Sequence, residues 1–179
     1  MIRTITTHLP EKVLTNRELA EQDAAWTPDE IFKKTGIHSR HVMTRSEKAS
    51  DLACAAAQKL LRSCGAEGHE VDFLVFCTQS PDYLLPTTAC IIQDKLGLST
   101  NCGAFDMNLG CSGYLYGLGV IHGLLESGLA TTALLLTADA YSRYAGEGDL
   151  TTRTIFGDAG SDSHQRRGAM TKVIRVSST

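Results

Sequence analysis

None of the six cysteines, Cys54, Cys64, Cys77, Cys90, Cys102 and Cys111, forms a CxxC pair, and that removes the common zinc-binding spacings. No GxGxxG follows a strand-like run and no GxxxxGK[ST] occurs, so neither glycine-rich phosphate cradle is available. Basic charge is not in excess: the net charge of −3 gives no electrostatic footprint for nucleic acid or an anionic membrane. Residues Met1 to Pro10 have no basic start leading into an apolar run, so no secretory signal is expected. The expected compartment is therefore the cytoplasm, with reduced, free thiols. No short-period repeat is visible. The longest uncharged stretch, Met107 to Leu125, holds Asn108, Ser112, His122 and five glycines, which suits a buried helix of a soluble domain better than a membrane span.

What is present fits one domain with a real core: 179 residues, 42% apolar and 21% charged. Ile2 to Thr7 is a short β-branched run that Pro10 turns. Thr15-Asn16-Arg17-Glu18 has capping-box spacing for a short helix, and Thr27-Pro28-Asp29-Glu30 repeats the signal with proline at the first helical position. That second helix should stop at Thr35-Gly36. From Ser46 to Ser63 the pattern is amphipathic, with Leu52, Ala56, Leu60 and Cys64 on one face. Val71 to Thr78 reads as a strand covered on both faces, and Thr87 to Leu96 as a helix closed by Gly97. Cys102 to Asn108 reads as a strand, Cys111 to Ser127 as a helix and Ala133 to Ala138 as a further buried strand, with another starting at Ile155-Phe156. Such alternation predicts an α/β layered domain.

One segment carries chemistry. Between Ala104 and Tyr114 a strand ends, a tight turn follows and Cys111 opens a helix. The amino terminus of a helix offers unpaired N–H groups and partial positive charge, which lower a thiol's pKa and raise its reactivity. The backbone N–H of Cys111 could also form one side of an oxyanion hole. Gly113, Gly117, Gly119 and Gly123 each cost helix stability, about 1 kcal/mol against alanine, which makes sense where another backbone comes close. The absence of charge before Glu126 suggests a helix enclosed on all sides. A packing helix with an inert cysteine fits the same spacing.

The run Asp106-Met107-Asn108-Leu109-Gly110-Cys111-Ser112-Gly113-Tyr114 resembles the nucleophile motif of β-ketoacyl-ACP synthase III-type condensing enzymes, in the thiolase superfamily. Four further stretches resemble the family in the same order. They are Leu9 to Asn16; Lys34-Thr35-Gly36-Ile37 with Arg40; Gln79 to Tyr83 through Pro86 to Cys90 with Gln93 and Leu96-Gly97; and Phe156-Gly157-Asp158-Ala159-Gly160. The resemblance covers residues 2 to 161. It implies one αβαβα layered half of a thiolase-like fold, the amino-terminal half, with a mixed sheet and helices on both faces. It also implies a homodimer, with acyl carrier protein as partner and no resident cofactor or metal. Cys111 would take an acyl group from an acyl-CoA or acyl-ACP primer, and a decarboxylated malonyl-ACP would then attack that thioester. Thr27, Lys34, Leu85 and Arg153 would contact substrate, Leu85 by reaching across the dimer to floor the partner's acyl pocket.

The sequence also departs from that pattern. The tryptophan that stacks on adenine in acyl-CoA-using members is replaced by Ile31, while Trp26, the only tryptophan, sits earlier. Lys34 stands where an arginine is usual. The family's catalytic His and Asn belong to a second half whose motifs match none of His8, His38, His41, His69, His122 and His164. His122, about 16 Å along a helix from Cys111, is too far to act as its base. After Ser161 the family's small and apolar residues give way to Asp162-Ser163-His164-Gln165-Arg166-Arg167. The expectation is therefore a thiolase-like unit over 1–161 and a divergent, frame-disrupted tail over 162–179 that breaks the last strand, with the carboxy-terminal half absent. Condensation would be incomplete in such a chain. Two alternatives stand beside this reading: a non-catalytic fragment or interaction protein, and a relative of hydroxymethylglutaryl-CoA synthase, whose glutamate has no counterpart between Thr78 and Tyr83.

Overall fold

A computed structural model describes residues 2–23, 25–146 and 148–167 and the strand Val176–Ser177. Its centre is a six-stranded mixed sheet in the order β5-β4-β6-β7-β1-β8. Strands β4 (Phe73–Cys77), β5 (Gly103–Met107) and β6 (Thr132–Asp139) are parallel. Strand β7 (Ala159–Arg166) runs antiparallel to both β6 and β1 (Ile2–His8), and β8 (Val176–Ser177) lies parallel to β1. A separate hairpin pairs β2 (Val13–Thr15) with β3 (Ser39–His41).

Helices cover both faces of the sheet. On one face α3 (Ala49–Cys64) and α4 (Thr88–Lys95) enclose Leu52, Ala53, Leu60, Leu74, Phe76, Ile92, Leu134 and Leu136. On the other, α5 (Gly113–Glu126) packs Ile121 and Leu125 on Val75, Ala133 and Leu135. The alternation along β4 and β6 sends successive side chains to these two cores. A smaller cluster of Leu14, Leu19, Ile31, Val42 and Leu150 joins α1 (Asn16–Ala20), α2 (Pro28–Thr35) and α6 (Leu150–Arg153) to the hairpin. The mixed sheet with helices on both faces, expected from the resemblance, is the one observed.

Both capping boxes form: Thr15 accepts from the Glu18 amide and Thr27 from the Glu30 amide, with each glutamate returning to the cap residue's own N–H. Gly36 ends α2 with φ +72°, a left-handed cap that suits glycine. The family-like motifs have structural duties. Arg40 donates to Asn16 Oδ1 (2.8 Å) and to the Thr154 carbonyl (2.9 Å). Asp158 accepts the Met43 amide (2.7 Å) and the Ser142 amide (2.9 Å), and a β-carbon at Gly157 would lie 2.7 Å from the His41 carbonyl oxygen.

Three expectations are corrected. Helix α3 begins at Ala49 rather than Ser46. The last strand does not begin at Ile155-Phe156, which lie in a turn, but at Ala159, and it does not break after Ser161. Residues 162–165 sit at buried sheet positions between β6 and β1, where backbone pairing on both sides outweighs the poor strand propensity of their side chains. Finally, α5 is not enclosed on all sides: Leu115 is 70% and Tyr116 62% exposed. Residues 168–175 and 178–179 of the expected tail lie outside the described residues.

Candidate active site

Because β4, β5 and β6 are parallel neighbours, the segments that leave them gather at one end of the sheet, where open α/β sheets place their ligand crevices. Gln79 follows β4, Cys111 follows β5 and Tyr141 follows β6. Cys111 is exposed in the turn between β5 and α5, closed by the Gly113 amide donating to the Gly110 carbonyl at 2.7 Å. The helix proper starts at Gly113 with Ser112 as its cap residue. The thiol therefore stands just ahead of the helix rather than within its first turn.

Two glycines let this turn lie tight against β4. A β-carbon at Gly113 would be 2.2 Å from Cys77 Sγ, and one at Gly110 would be 2.4 Å from Gln79 Oε1. Gly117 meets Leu135 in the same way, whereas Gly119 and Gly123 face open space. Close packing against side chains, rather than against another backbone, explains Gly113 and Gly117, and nothing close explains Gly119 and Gly123.

The other thiols differ in character. Burial pushes Cys54 and Cys102 up to about 11, and it raises Cys77, whose thiol donates to the Leu109 carbonyl at 3.2 Å. Such thiols are poor nucleophiles at neutral pH. Cys111 and Cys90 are the exposed cysteines among the described residues.

Asp139 ties the strand ends together. Its Oδ1 accepts from the Gln79 amide (2.7 Å), the Ser80 hydroxyl (3.0 Å) and the Thr78 hydroxyl (3.1 Å). Ser80 Oγ in turn accepts the Ala140 amide at 2.8 Å. Asp106 caps α4 by accepting the Thr88 and Ala89 amides at 2.8 and 2.7 Å, a favourable place for negative charge. Tyr141 stacks on Phe156 with ring centroids 4.8 Å apart and donates its hydroxyl to Gln79 Oε1. Burial, then the charges of Asp139 and Cys111, raise the Tyr141 phenol above its ordinary value. Tyr141 and Phe156 also line a cavity of about 270 Å³ whose other walls include Lys12, Met43, Arg45 and Arg153.

The remaining candidate residues scatter. Thr27 is committed to its capping box, its hydroxyl donating to Glu30 at 2.7 Å. Lys34 lies over the Trp26 ring, 4.3 Å from its centroid. Arg153 reaches Gln22 and lines the cavity. Leu85 is 86% exposed on the loop before α4. Ile31 is fully buried, so the position of the missing tryptophan offers no stacking surface here. Gln79, Tyr141 and Asp139 went unassigned in the sequence reading; their signal is their place immediately after, or at the end of, parallel strands.

Residues 105–162 match the family model described as 3-oxoacyl-[acyl-carrier-protein (ACP)] synthase III. Over 152 residues, 84% of this chain, the sequence is 40% identical to a β-ketoacyl-[acyl-carrier-protein] synthase III of Neisseria meningitidis serogroup A, of which it covers 47%. It is 41% identical over the same length to that of Xanthomonas euvesicatoria, of which it covers 46%. The chain thus spans about half the length of the curated relatives it matches. Among solved structures, a 3-oxoacyl-(acyl-carrier-protein) synthase III superposes with a TM-score of 0.89 at 47% identity, covering 94% of this chain and 51% of the other. The corresponding protein of Burkholderia xenovorans LB400 gives a TM-score of 0.90 at 32% identity, over 94% of this chain and 48% of the other.

Proposed function

From the homology of this chain to the amino-terminal half of the β-ketoacyl-ACP synthase III enzymes, we propose that it is an acyl-accepting unit with Cys111 as nucleophile. The observation that carries this reading is an exposed thiol in a glycine-tightened turn at the meeting point of three parallel strand ends. The donor is an acyl thioester on CoA or acyl carrier protein, and no resident cofactor or metal takes part. The cavity beside Tyr141 supports a phosphate-bearing donor, because Lys12, Arg45 and Arg153 line it with no acidic residue among the described walls. Arg153 would meet the donor there, whereas Lys34, stacked over Trp26, would meet it elsewhere.

Decarboxylative condensation with malonyl-ACP is the activity of the complete family fold, whose His and Asn come from the half that has no counterpart in these residues. Preorganised donors of that kind supply much of the rate in carbanion chemistry. This chain alone would therefore stop at the acyl-enzyme. Leu85 supports a homodimer contact through its exposure, and the cytoplasm is the proposed location.

The test is intact-mass analysis after incubation of the full chain with acyl-CoA and acyl-ACP. One acyl adduct is expected, lost in Cys111→Ala and retained in Cys54→Ala and Cys90→Ala. An adduct that survives Cys111→Ala, or no adduct at all, leaves the non-catalytic reading in its place.

A further inference from the structure

Gln79 is held at both ends. Its backbone N–H is fixed on Asp139 at 2.7 Å, between two neighbours, Thr78 and Ser80, that bond the same carboxylate oxygen. Its side chain lies flat on the turn before Cys111: a β-carbon at Gly110 would stand 2.4 Å from Oε1, 3.0 Å from Cδ and 3.4 Å from Nε2. Glycine at 110 is what makes room for this amide. The Tyr141 hydroxyl donates to Oε1, and the Tyr141 ring is itself clamped on Phe156. With the oxygen accepting from Tyr141, both N–H bonds of Nε2 remain to be used. Among the described residues Nε2 has no hydrogen-bond partner. Tyr141 follows β6 at the same end of the parallel sheet where Cys111 follows β5.

We propose that the Gln79 side-chain amide, oriented by Tyr141, donates an N–H to the carbonyl oxygen of the acyl thioester as Cys111 attacks it. The step is plain acyl transfer. A bond forms between Cys111 Sγ and the carbonyl carbon while the C=O electron pair moves to oxygen. As the carbonyl reforms, the donor's C–S bond breaks, and the proton of the Cys111 thiol leaves with the departing thiol. Nothing is oxidised or reduced. The oxygen is most negative in the tetrahedral state, where a prefixed N–H gains most, and Gln79 would complement the Cys111 backbone N–H from the β4 side. Gln79 is in this role a catalytic residue and Tyr141 a positioning residue. The inference rests on the proposal that Cys111 is acylated.

Two rates on the full chain test it: acyl-adduct formation from acyl-CoA donors of graded chain length, and alkylation of Cys111 by iodoacetamide. Acylation needs a donor to the carbonyl oxygen; alkylation does not. Gln79→Met, which keeps the bulk, should slow acylation by about 10²-fold, the usual loss of one oxyanion donor, and leave alkylation nearly unchanged. Tyr141→Phe, which keeps the stack on Phe156, should slow acylation by about 10-fold, and adding it to Gln79→Met should cost nothing more, because the two act as one unit. Equal acylation by wild type and Gln79→Met overturns the inference alone, as does a parallel fall of both rates. A wild-type chain that is alkylated but never acylated overturns the proposed function with it.

Discussion

Asp162 shows how a single side chain can set the pH response of a fold. Its carboxylate is fully buried on the α3 side of β7, paired across the sheet with Leu136 and Thr6. Neither carboxylate oxygen has a hydrogen-bond partner among the described residues. The adjacent Ser163 amide approaches without hydrogen-bond geometry and offsets only part of the burial, which holds the acid well above its ordinary 3.8. A folded-state pKa raised above the unfolded one means that the native state keeps the proton longer. Stability from this site is therefore complete below about pH 4 and falls as pH rises from there toward the folded value. His164 acts in the opposite sense. Burial first, then the Arg166 and Arg3 charges, lower its pKa, so the native state resists protonation and stability falls as pH drops below 6.5. Urea midpoints measured from pH 4 to 9 should flatten on the basic side in Asp162→Asn and on the acidic side in His164→Leu. At pH 7 Asp162→Val should gain on the order of 2 kcal/mol by removing an unpaired buried polar group. These orphaned groups, and a family match that stops at residue 162, support our proposal that residues 162–179 depart from the family's sequence. A loss of stability in Asp162→Val would instead show that the acid is adapted to its site.

At the scale of elements, legibility followed local chemistry. The caps at Thr15 and Thr27 were readable because each box is complete within four residues, and α2 ended at the expected glycine. Strands β4 and β6 were readable as apolar runs because both their faces are covered by protein, whereas β5, at the sheet edge, is half-buried along its whole length. Strand β7 was not, since nothing in Asp162 to Arg166 reads as a strand; its state is imposed by β6 and β1, which come from distant parts of the chain. The candidate site divided along the same line. Cys111 stood out through its own turn and helix, whereas Gln79, Tyr141 and Asp139 become neighbours only when the parallel strands align. Thr27 allows a direct test of element against site. Thr27→Ala should cost about 1 kcal/mol of stability as a lost N-cap, with Thr27→Ser restoring it. If Thr27 also binds the acyl donor through its hydroxyl, Thr27→Asn, which keeps a cap acceptor without that hydroxyl, should still weaken half-saturation in the acylation assay; an unchanged value assigns the residue to the cap alone.

Among the described residues, exposed apolar side chains cluster on a loop and on a helix. Leu84 and Leu85 are 93% and 86% exposed on one loop, and Leu115, Tyr116 and Val120 form an outward stripe on α5 beside the open glycines Gly119 and Gly123. Grouped exposed apolar side chains of this kind mark association surfaces or aggregation hazards. Sedimentation velocity should find the chain self-associated at micromolar concentration. Tyr116→Asp combined with Leu115→Asp should shift it toward monomer, and Leu85→Asp should do the same if the loop contributes. A monodisperse wild-type monomer contradicts this expectation.

The antiparallel ladder between β1 and β7 joins two segments far apart in the chain, Thr6 lying opposite Asp162. On the ribosome the parallel core of β4, β5 and β6 can close while β1 still waits for its neighbour. Closing so long a loop brings an entropic penalty that local contacts do not repay. The β-branched β1 segment therefore stays without its β7 partner until the whole parallel core has been made. A chaperone that shields β1 would influence yield more than one that acts on the nucleophile turn.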